Sequence, residues 1–402
     1  MFSSNPPLGL YVHLPWCERK CPYCDFNSYQ AAARIPEHEY VDALLNDLEQ
    51  DLPLIWGRGI DSIFIGGGTP SLFSAAAIER LFSGLRALLN FAPAIEVTLE
   101  SNPGSADSEN YRGYRQAGIN RLSLGVQSFN DEKLKILGRV HDAAQAQAAF
   151  ASARAAGFDN INLDLMFALP AQTLDEARAD LDQALSLQPE HISHYQLTIE
   201  PNTLFHSQPP AKLPDNDSCA EQQIECQALL AERDYRQYEV SAWCREGHES
   251  RHNLNYWQFG DYLGIGAGAH SKITLAAENR VIRRVRQRQP RAYLAQAGRN
   301  SIVKQVELDE GNLCFEFMLN ALRLKQGFAA SLFHENTGLA LNLLLPALET
   351  ARDKGLLEFD GRKIRPTELG FNHLNTLQAL FLEIENAKIE PFFDSANKIM
   401  HN

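Results

Sequence analysis

Hydrophobic and polar positions alternate regularly through the first half of the chain. Short apolar, β-branched-rich runs occur at Leu8–Leu14, Ser62–Gly66, Ile95–Glu100, Leu122–Gln127, Ile161–Phe167 and Ile192–Ile199. Between them lie stretches at helical spacing, Glu37–Leu52, Ala75–Leu89, Ser108–Ala117, Asp142–Ala156 and Leu174–Leu187. Strands alternating with helices at this spacing predict parallel βαβ units. Six such units make a partial (β/α) barrel or an open doubly wound sheet, and pattern alone leaves both open. The alternation stops after the sixth run. Pro201 to Pro214 holds four of the nineteen prolines and reads as a connecting loop. Ser218-Cys219-Ala220-Glu221 has the form of a capping box opening a helix through Asp234. From about Gln305 helical stretches return at Gly311–Leu324 and Leu339–Lys354. A hairpin signal follows over Leu356–Ile364, with Asp360-Gly361 at its turn. The predicted organisation is α/β: a partial barrel over 1–215, an extension over 216–304, and a smaller, mainly helical, winged-helix-like domain over 305–402.

Composition narrows the class. A chain of 402 residues, 45% hydrophobic, suits a barrel with an appendage. The formal charge of −13 argues against a broad nucleic-acid surface. The winged-helix-like end is no exception. From Gln305 to Asn402 there are 9 Lys+Arg against 14 Asp+Glu, a net of −5, without the basic footprint of a DNA reader, so a lid or docking surface is expected there. No apolar run approaches the roughly 20 residues of a spanning helix. Met1 to Pro7 is a short polar lead without an apolar centre. With seven cysteines, an odd set, this points to a soluble cytoplasmic protein whose clustered thiols bind metal.

Those thiols are the strongest chemical signal. Cys17, Cys21 and Cys24 fall within eight residues at the end of the first apolar run. An ordinary 4Fe–4S cluster takes four cysteines, and the next here is Cys219. A cluster on these three would leave one iron open to a ligand. The alternative is a three-cysteine zinc site completed by His13. Cys219, Cys226, Cys244 and Cys314 read as small core hydrophobes.

Polar and glycine residues recur just after the strands, where barrels place their ligand chemistry. Gly66-Gly67-Gly68-Thr69-Pro70 follows the second run, Glu100 and Asn102 close the third, Gln127 closes the fourth, and Asp164 lies in the fifth. Together they suggest one pocket, although singly Glu100 or Asp164 reads as a helix cap or loop ion pair.

The Cys-x3-Cys-x2-Cys spacing resembles the signature of radical S-adenosylmethionine (SAM) proteins, in which the open iron chelates the methionine end of SAM and electron transfer cleaves a carbon–sulfur bond. Tyr11-Val12-His13-Leu14-Pro15-Trp16-Cys17, Gly66-Gly67-Gly68-Thr69-Pro70, Gly125-Val126-Gln127-Ser128-Phe129 and Leu137-Gly138-Arg139-Val140-His141 resemble the oxygen-independent coproporphyrinogen III oxidase family over nearly the whole chain. The resemblance implies a radical SAM partial barrel. It also implies a 4Fe–4S cluster on Cys17, Cys21 and Cys24, and a SAM site lined by Tyr11, Gly67, Gly68, Thr69, Glu100, Gln127, Arg139 and Asp164. Backbone at the glycines can pair with the methionine part, carboxylates can hold an ammonium or ribose hydroxyls, and Arg139 can fork onto a carboxylate. Tyr23 would shield the cluster or stack on adenine, or simply pack.

Two features depart from the decarboxylating oxidases. Those carry a fourth cysteine two residues beyond the third, where this chain has Phe26, and a longer arm before the cluster. Both departures match the HemW-type branch, regarded as heme chaperones. His252-Asn253-Leu254-Asn255-Tyr256-Trp257 fits the His-Asn-x-x-Tyr-Trp motif associated with heme in that branch. From spacing alone the stretch reads equally as a hydrogen-bonded core histidine beside packed rings. The branch implies His252 as heme ligand, with Tyr256 and Trp257 flanking the macrocycle. Its partners would be heme and apo-hemoproteins, membrane respiratory enzymes among them, met through a peripheral membrane contact. Whether SAM is cleaved in turnover stays open, and the alternative is SAM-dependent oxidative decarboxylation of coproporphyrinogen III. Gly264 to His270 reads as a tight turn near the site, with His270 a second candidate. Arg280, Arg283, Arg284, Arg286, Arg288 and Arg291 form a basic run, expected to be a solvated face, or to meet heme propionates or an anionic membrane.

Overall fold

The computed structural model describes residues 2, 4–31, 34–105, 108–297 and 299–382; the end of the third predicted region, 383–402, lies outside the described residues. Six parallel strands, β1 (Leu8–Leu14), β2 (Gly59–Gly67), β3 (Asn90–Ser101), β4 (Arg121–Gln127), β5 (Ile161–Phe167) and β6 (His191–Gln196), pair in chain order. Their central residues are mostly buried, as expected of a parallel sheet covered on both faces. β1 and β5 are buried at every residue. Helices α1 (Glu37–Asp51), α2 (Ala75–Leu88) and α3 (Ser108–Ala117) cross between the first four strands. A short α4 (Asp131–Ile136) precedes α5 (Ala143–Ala155), and α6 (Leu174–Ser186) leads into β6.

The predicted runs therefore correspond to elements, with shifted ends. β3 begins five residues before its predicted start, and β6 stops three before its predicted end. The expected box at Ser218 is corrected. The helix Asn216–Glu232 begins earlier, and Asp215 is its cap, accepting from the Ser218 amide. The predicted helix over Leu339–Lys354 is also shorter. A single 3₁₀ turn, Leu341–Leu343, precedes the helix Leu345–Asp353, with Pro346 in its first turn.

The sheet is not closed. Beyond β6 it continues antiparallel through Ala242–Cys244 and Arg236–Gln237. On its other side β1 pairs in parallel with Asp261–Ile265, followed by the antiparallel strands His270–Leu275, Arg280–Arg286 and Ile302–Glu307. The region after the sixth unit thus extends the same twelve-stranded sheet. The C-terminal helices Glu310–Ala321, Ser331–Thr337 and Leu345–Asp353 and the hairpin Leu357–Phe359/Lys363–Pro366 form a second core. It reaches back to Trp257, Phe259 and Tyr262.

The arginine run is corrected here. Arg280–Arg286 is a strand, and its charges are largely satisfied inside the protein. Arg283 pairs with Glu316 and Arg284 with Asp51, while Arg286 lies between Asp47 and Asp51 of α1 and donates to the Gly264 carbonyl. Arg288 alone of the six lines a cavity described below. Replacing Arg286 by Met leaves Asp47 buried without its cation, at a cost of about 3–5 kcal/mol. Urea unfolding should register that loss, and a change under about 1 kcal/mol would contradict this account of the ion pairs.

Candidate functional site

The cluster loop leaves β1 and passes over the strand ends. It is tied to the second βα loop: the Gly68 amide donates to the Leu14 carbonyl at 2.8 Å and the Thr69 amide to Trp16 at 2.7 Å. A side chain at 68 would meet the Trp16 backbone oxygen at 2.5 Å, so only glycine permits the approach. A similar constraint explains Leu137-Gly138-Arg139. Gly138 has φ of 72°, and a Cβ there would strike Pro22 of the cysteine run at 2.7 Å.

Beneath this loop lies a cavity of about 140 Å³, walled by Cys17, Cys21, Tyr23, Cys24, Gly68, Thr69, Glu100, Gln127, Arg139 and Asp164. Burial raises the Cys17 thiol and pushes Cys24 up to about 12, so these thiols are neutral until a metal displaces their protons. Among the described residues no three His, Cys, Asp or Glu side chains converge on a single ion. A cubane cluster places each thiolate on a different iron, so its ligands ring a space rather than meet at a point.

Arg139 reaches across the cavity wall. Its Nη2 donates to the Gly125 carbonyl at 2.7 Å, and its Nη1 lies 3.5 Å from the Tyr23 hydroxyl and 3.7 Å from the Cys21 sulfur. Its buried Nε has no partner among the described residues, a free donor suited to an anionic ligand group. Burial works against this charge, but Tyr23 and Cys21 beside it raise the guanidinium pKa. Gln127 closes β4 at φ 70°, after a register shift against β5, and accepts from Tyr195 at 2.6 Å. Such strain in a non-glycine residue recurs at ligand sites. Asp164 accepts from Asn162 at 2.7 Å and Ser123 at 3.0 Å; burial raises its pKa and these bonds oppose the rise.

A second cavity, about 80 Å³, adjoins the first. Tyr11, Phe64, Gly67, His252, Tyr256, His270 and Arg288 line it, and Phe26 and Glu100 border both. His252 lies on the helix Arg251–Trp257 and is 1% exposed. Its ring stacks on Phe64 at 5.2 Å, with Nδ1 2.8 Å from the Ser62 hydroxyl and Nε2 3.0 Å from the Tyr256 hydroxyl.

The Radical SAM superfamily profile matches residues 11–184, and the HemN C-terminal domain profile matches residues 308–372. The heme chaperone HemW of Escherichia coli (strain K12) is 46% identical over 377 residues, covering 94% of this chain and 98% of its own. The heme chaperone HemW of Haemophilus influenzae is 44% identical over 384 residues, covering 94% and 99%. The chain belongs to the HemW family. The solved coproporphyrinogen III oxidase (HemN) from Escherichia coli shares the fold, with a TM-score of 0.80 at 24% identity, covering 94% of this chain and 91% of that one.

In this HemW-family chain the two cavities divide the expected site residues. Gly68, Thr69, Glu100, Gln127, Arg139, Asp164 and Tyr23 share the first cavity with the three cysteines. Tyr11 and Gly67 line the second instead. Tyr11 and His13 stand two apart on β1, hence on one face, and the Tyr11 hydroxyl lies 2.9 Å from His13 Nδ1. The Gly67 amide is spent on Glu100, and those of Gly68 and Thr69 on the Leu14 and Trp16 carbonyls, so these residues shape the wall rather than offer amides. Trp257 lies outside both linings; it packs into the C-terminal core, with the Arg323 guanidinium 4.2 Å over its ring. Tyr195, Gln196 and Thr198 also line the first cavity. The strand-end rule that points to Gln127 applies equally to the end of β6.

Proposed function

We propose that this HemW-family chain is a heme chaperone with a 4Fe–4S cluster on Cys17, Cys21 and Cys24, SAM in the first cavity, and heme at the second. The near full-length identity to proteins named heme chaperone HemW carries this reading. The residues present fit a cluster and SAM: three thiols line the first cavity, and Arg139 keeps an unused buried donor beside it. When bound, a cluster of this type supplies one-electron reduction of SAM. The chain's own residues hold the ligand's ends: Arg139 takes a carboxylate, Glu100 and Asp164 accept from an ammonium or ribose hydroxyls, and Tyr23 and Phe26 exclude water. His252 would hold the heme iron through a ring nitrogen in place of its bond to Tyr256, and Tyr256 and Arg288, which line the same cavity, would contact the rest of the ligand. Recipients are apo-hemoproteins, membrane respiratory enzymes among them, met by peripheral contact. No helix among the described residues is long and apolar enough to cross a membrane.

Phe26 at the junction of the two cavities supports the chaperone over the oxidase, because an apolar ring stands where the resembled oxidases carry a thiol. Anaerobically reconstituted protein is expected to bind heme and to convert little or no coproporphyrinogen III, even with SAM and a reductant. His252→Ala should weaken heme about tenfold or more and shift the Soret band. Identical heme spectra in the variant would return His252 to a packing role. Stoichiometric decarboxylation by the intact protein would restore the oxidase reading.

A further inference from the structure

A buried chain of hydrogen bonds runs from the SAM cavity to the helix that carries His252. Asp164 Oδ1 accepts from the Asn162 amide at 2.7 Å. Asn162 Oδ1 faces His191 Nδ1 at 2.7 Å, and His191 Nε2 faces the Tyr238 hydroxyl at 2.8 Å. The Tyr238 oxygen accepts from the Ser250 backbone N–H at 3.2 Å. Ser250 caps the helix Arg251–Trp257, its side chain accepting from the Asn253 amide. All five residues are buried.

The direction of every link follows from the Asn162 amide. Asn162 gives its N–H to Asp164, so its oxygen faces His191 and can only accept. His191 therefore carries its proton on Nδ1, and burial holds the ring neutral, leaving Nε2 as an acceptor. The Tyr238 hydroxyl must then donate to it, which frees the phenolic oxygen for the Ser250 amide. Donors thus point from the helix end towards Asp164 without a conflict. Reversing any one bond would leave a buried donor facing a donor, at the cost of that hydrogen bond. Arg121, buried beside this chain, exerts its charge on Asp164, His191, Tyr238 and His252 alike.

We propose that His191 is a positioning residue that orients Asp164 and couples occupancy of the SAM cavity to the helix bearing His252. The proposal rests on the placement of SAM and heme given above. A ligand donor engaging Asp164 competes with the Asn162 amide, and polarised hydrogen bonds pass that change along the chain. The coupling is reciprocal, so SAM alters heme affinity by the same factor as heme alters SAM affinity.

Reconstituted protein is titrated with SAM in the presence and absence of saturating heme, and with heme in the presence and absence of SAM. The expected wild-type ratio is about fivefold or more and equal in both directions. His191→Asn keeps an amide near the Nδ1 position but offers Tyr238 no acceptor. Its SAM affinity should stay within about threefold of wild type, while the ratio falls to within about twofold of unity. Tyr238→Phe, which removes one hydroxyl and no charge, should do the same with iron content unchanged. Selective ¹⁵N labelling supplies a readout independent of ligands: His191 is expected as the neutral Nδ1–H tautomer. Two-ligand binding with a wild-type ratio near one, or an Nε2–H tautomer, overturns this proposal and leaves the SAM and heme assignments standing. Absence of heme binding overturns both together.

Discussion

Substituting Ala for any one of Cys17, Cys21 and Cys24 is expected to take reconstituted iron from about four per chain to below one, and to abolish the change that SAM makes in the cluster's EPR spectrum. The size of the effect follows from the absence of a substitute. The remaining thiols are distributed through the body of the protein: Cys226 in the main core, Cys314 in the C-terminal core, Cys219 and Cys244 in smaller apolar groups. None of them is among the residues lining the first cavity. Arg139 reaches Cys21 but cannot ligate iron in place of a thiolate. Iron analysis with EPR checks the expectation. Full iron and an intact SAM response in Cys17→Ala would remove that residue from the ligand set.

Acid should destabilise the fold well before its surface carboxylates are neutralised. Burial lowers His13, His141 and His194 to about 4 and His252 to about 3, and holds His191 well below its ordinary value. Unfolded histidines titrate near 6.5. Between the folded and unfolded values the unfolded chain binds more protons, so stability is full above about pH 6.5 and is lost as pH falls below it. Each histidine contributes a slope of about 1.4 kcal/mol per pH unit. Asp47, Asp164 and Asp180 act oppositely, since burial raises them in the folded state, Asp180 to about 6. The five histidines outnumber the three carboxylates, so the net effect is a fall in stability as pH drops below about 6.5. Urea unfolding at pH 7.5, 6 and 5 measures it, and a flat profile would contradict the burial of these rings as neutral groups.

The parallel strands and the cysteine loop were legible because their signals are local. β1 and β5 are continuous apolar runs, and the three thiols lie within eight residues. The residues lining the first cavity were legible as a set because they follow successive strand ends. What escaped depends on distant partners. Nothing near Asp261–Ile265 announces that it pairs with β1 some 250 residues earlier. The arginine run looked solvated because its counter-charges, Asp47, Asp51 and Glu316, stand on helices remote in sequence. The motifs place Tyr11 and Gly67 with the SAM pocket, but their position in the second cavity, with the Gly67 amide bonded to Glu100, is a property of the assembled rim. His252 shows the same limit: the motif named the residue, while its bonds to Ser62 and Tyr256 appear only once β2 and the helix meet.

Heme delivery is the measurement closest to the central claim. Anaerobically reconstituted protein, loaded with one equivalent of heme, is mixed with an apo-hemoprotein whose holo form has a distinct Soret band. The account expects the recipient to acquire heme faster than from an equal concentration of free heme, and expects this advantage to be lost in His252→Ala. Heme that stays on the donor, or that reaches the recipient no faster than free heme does, would contradict it.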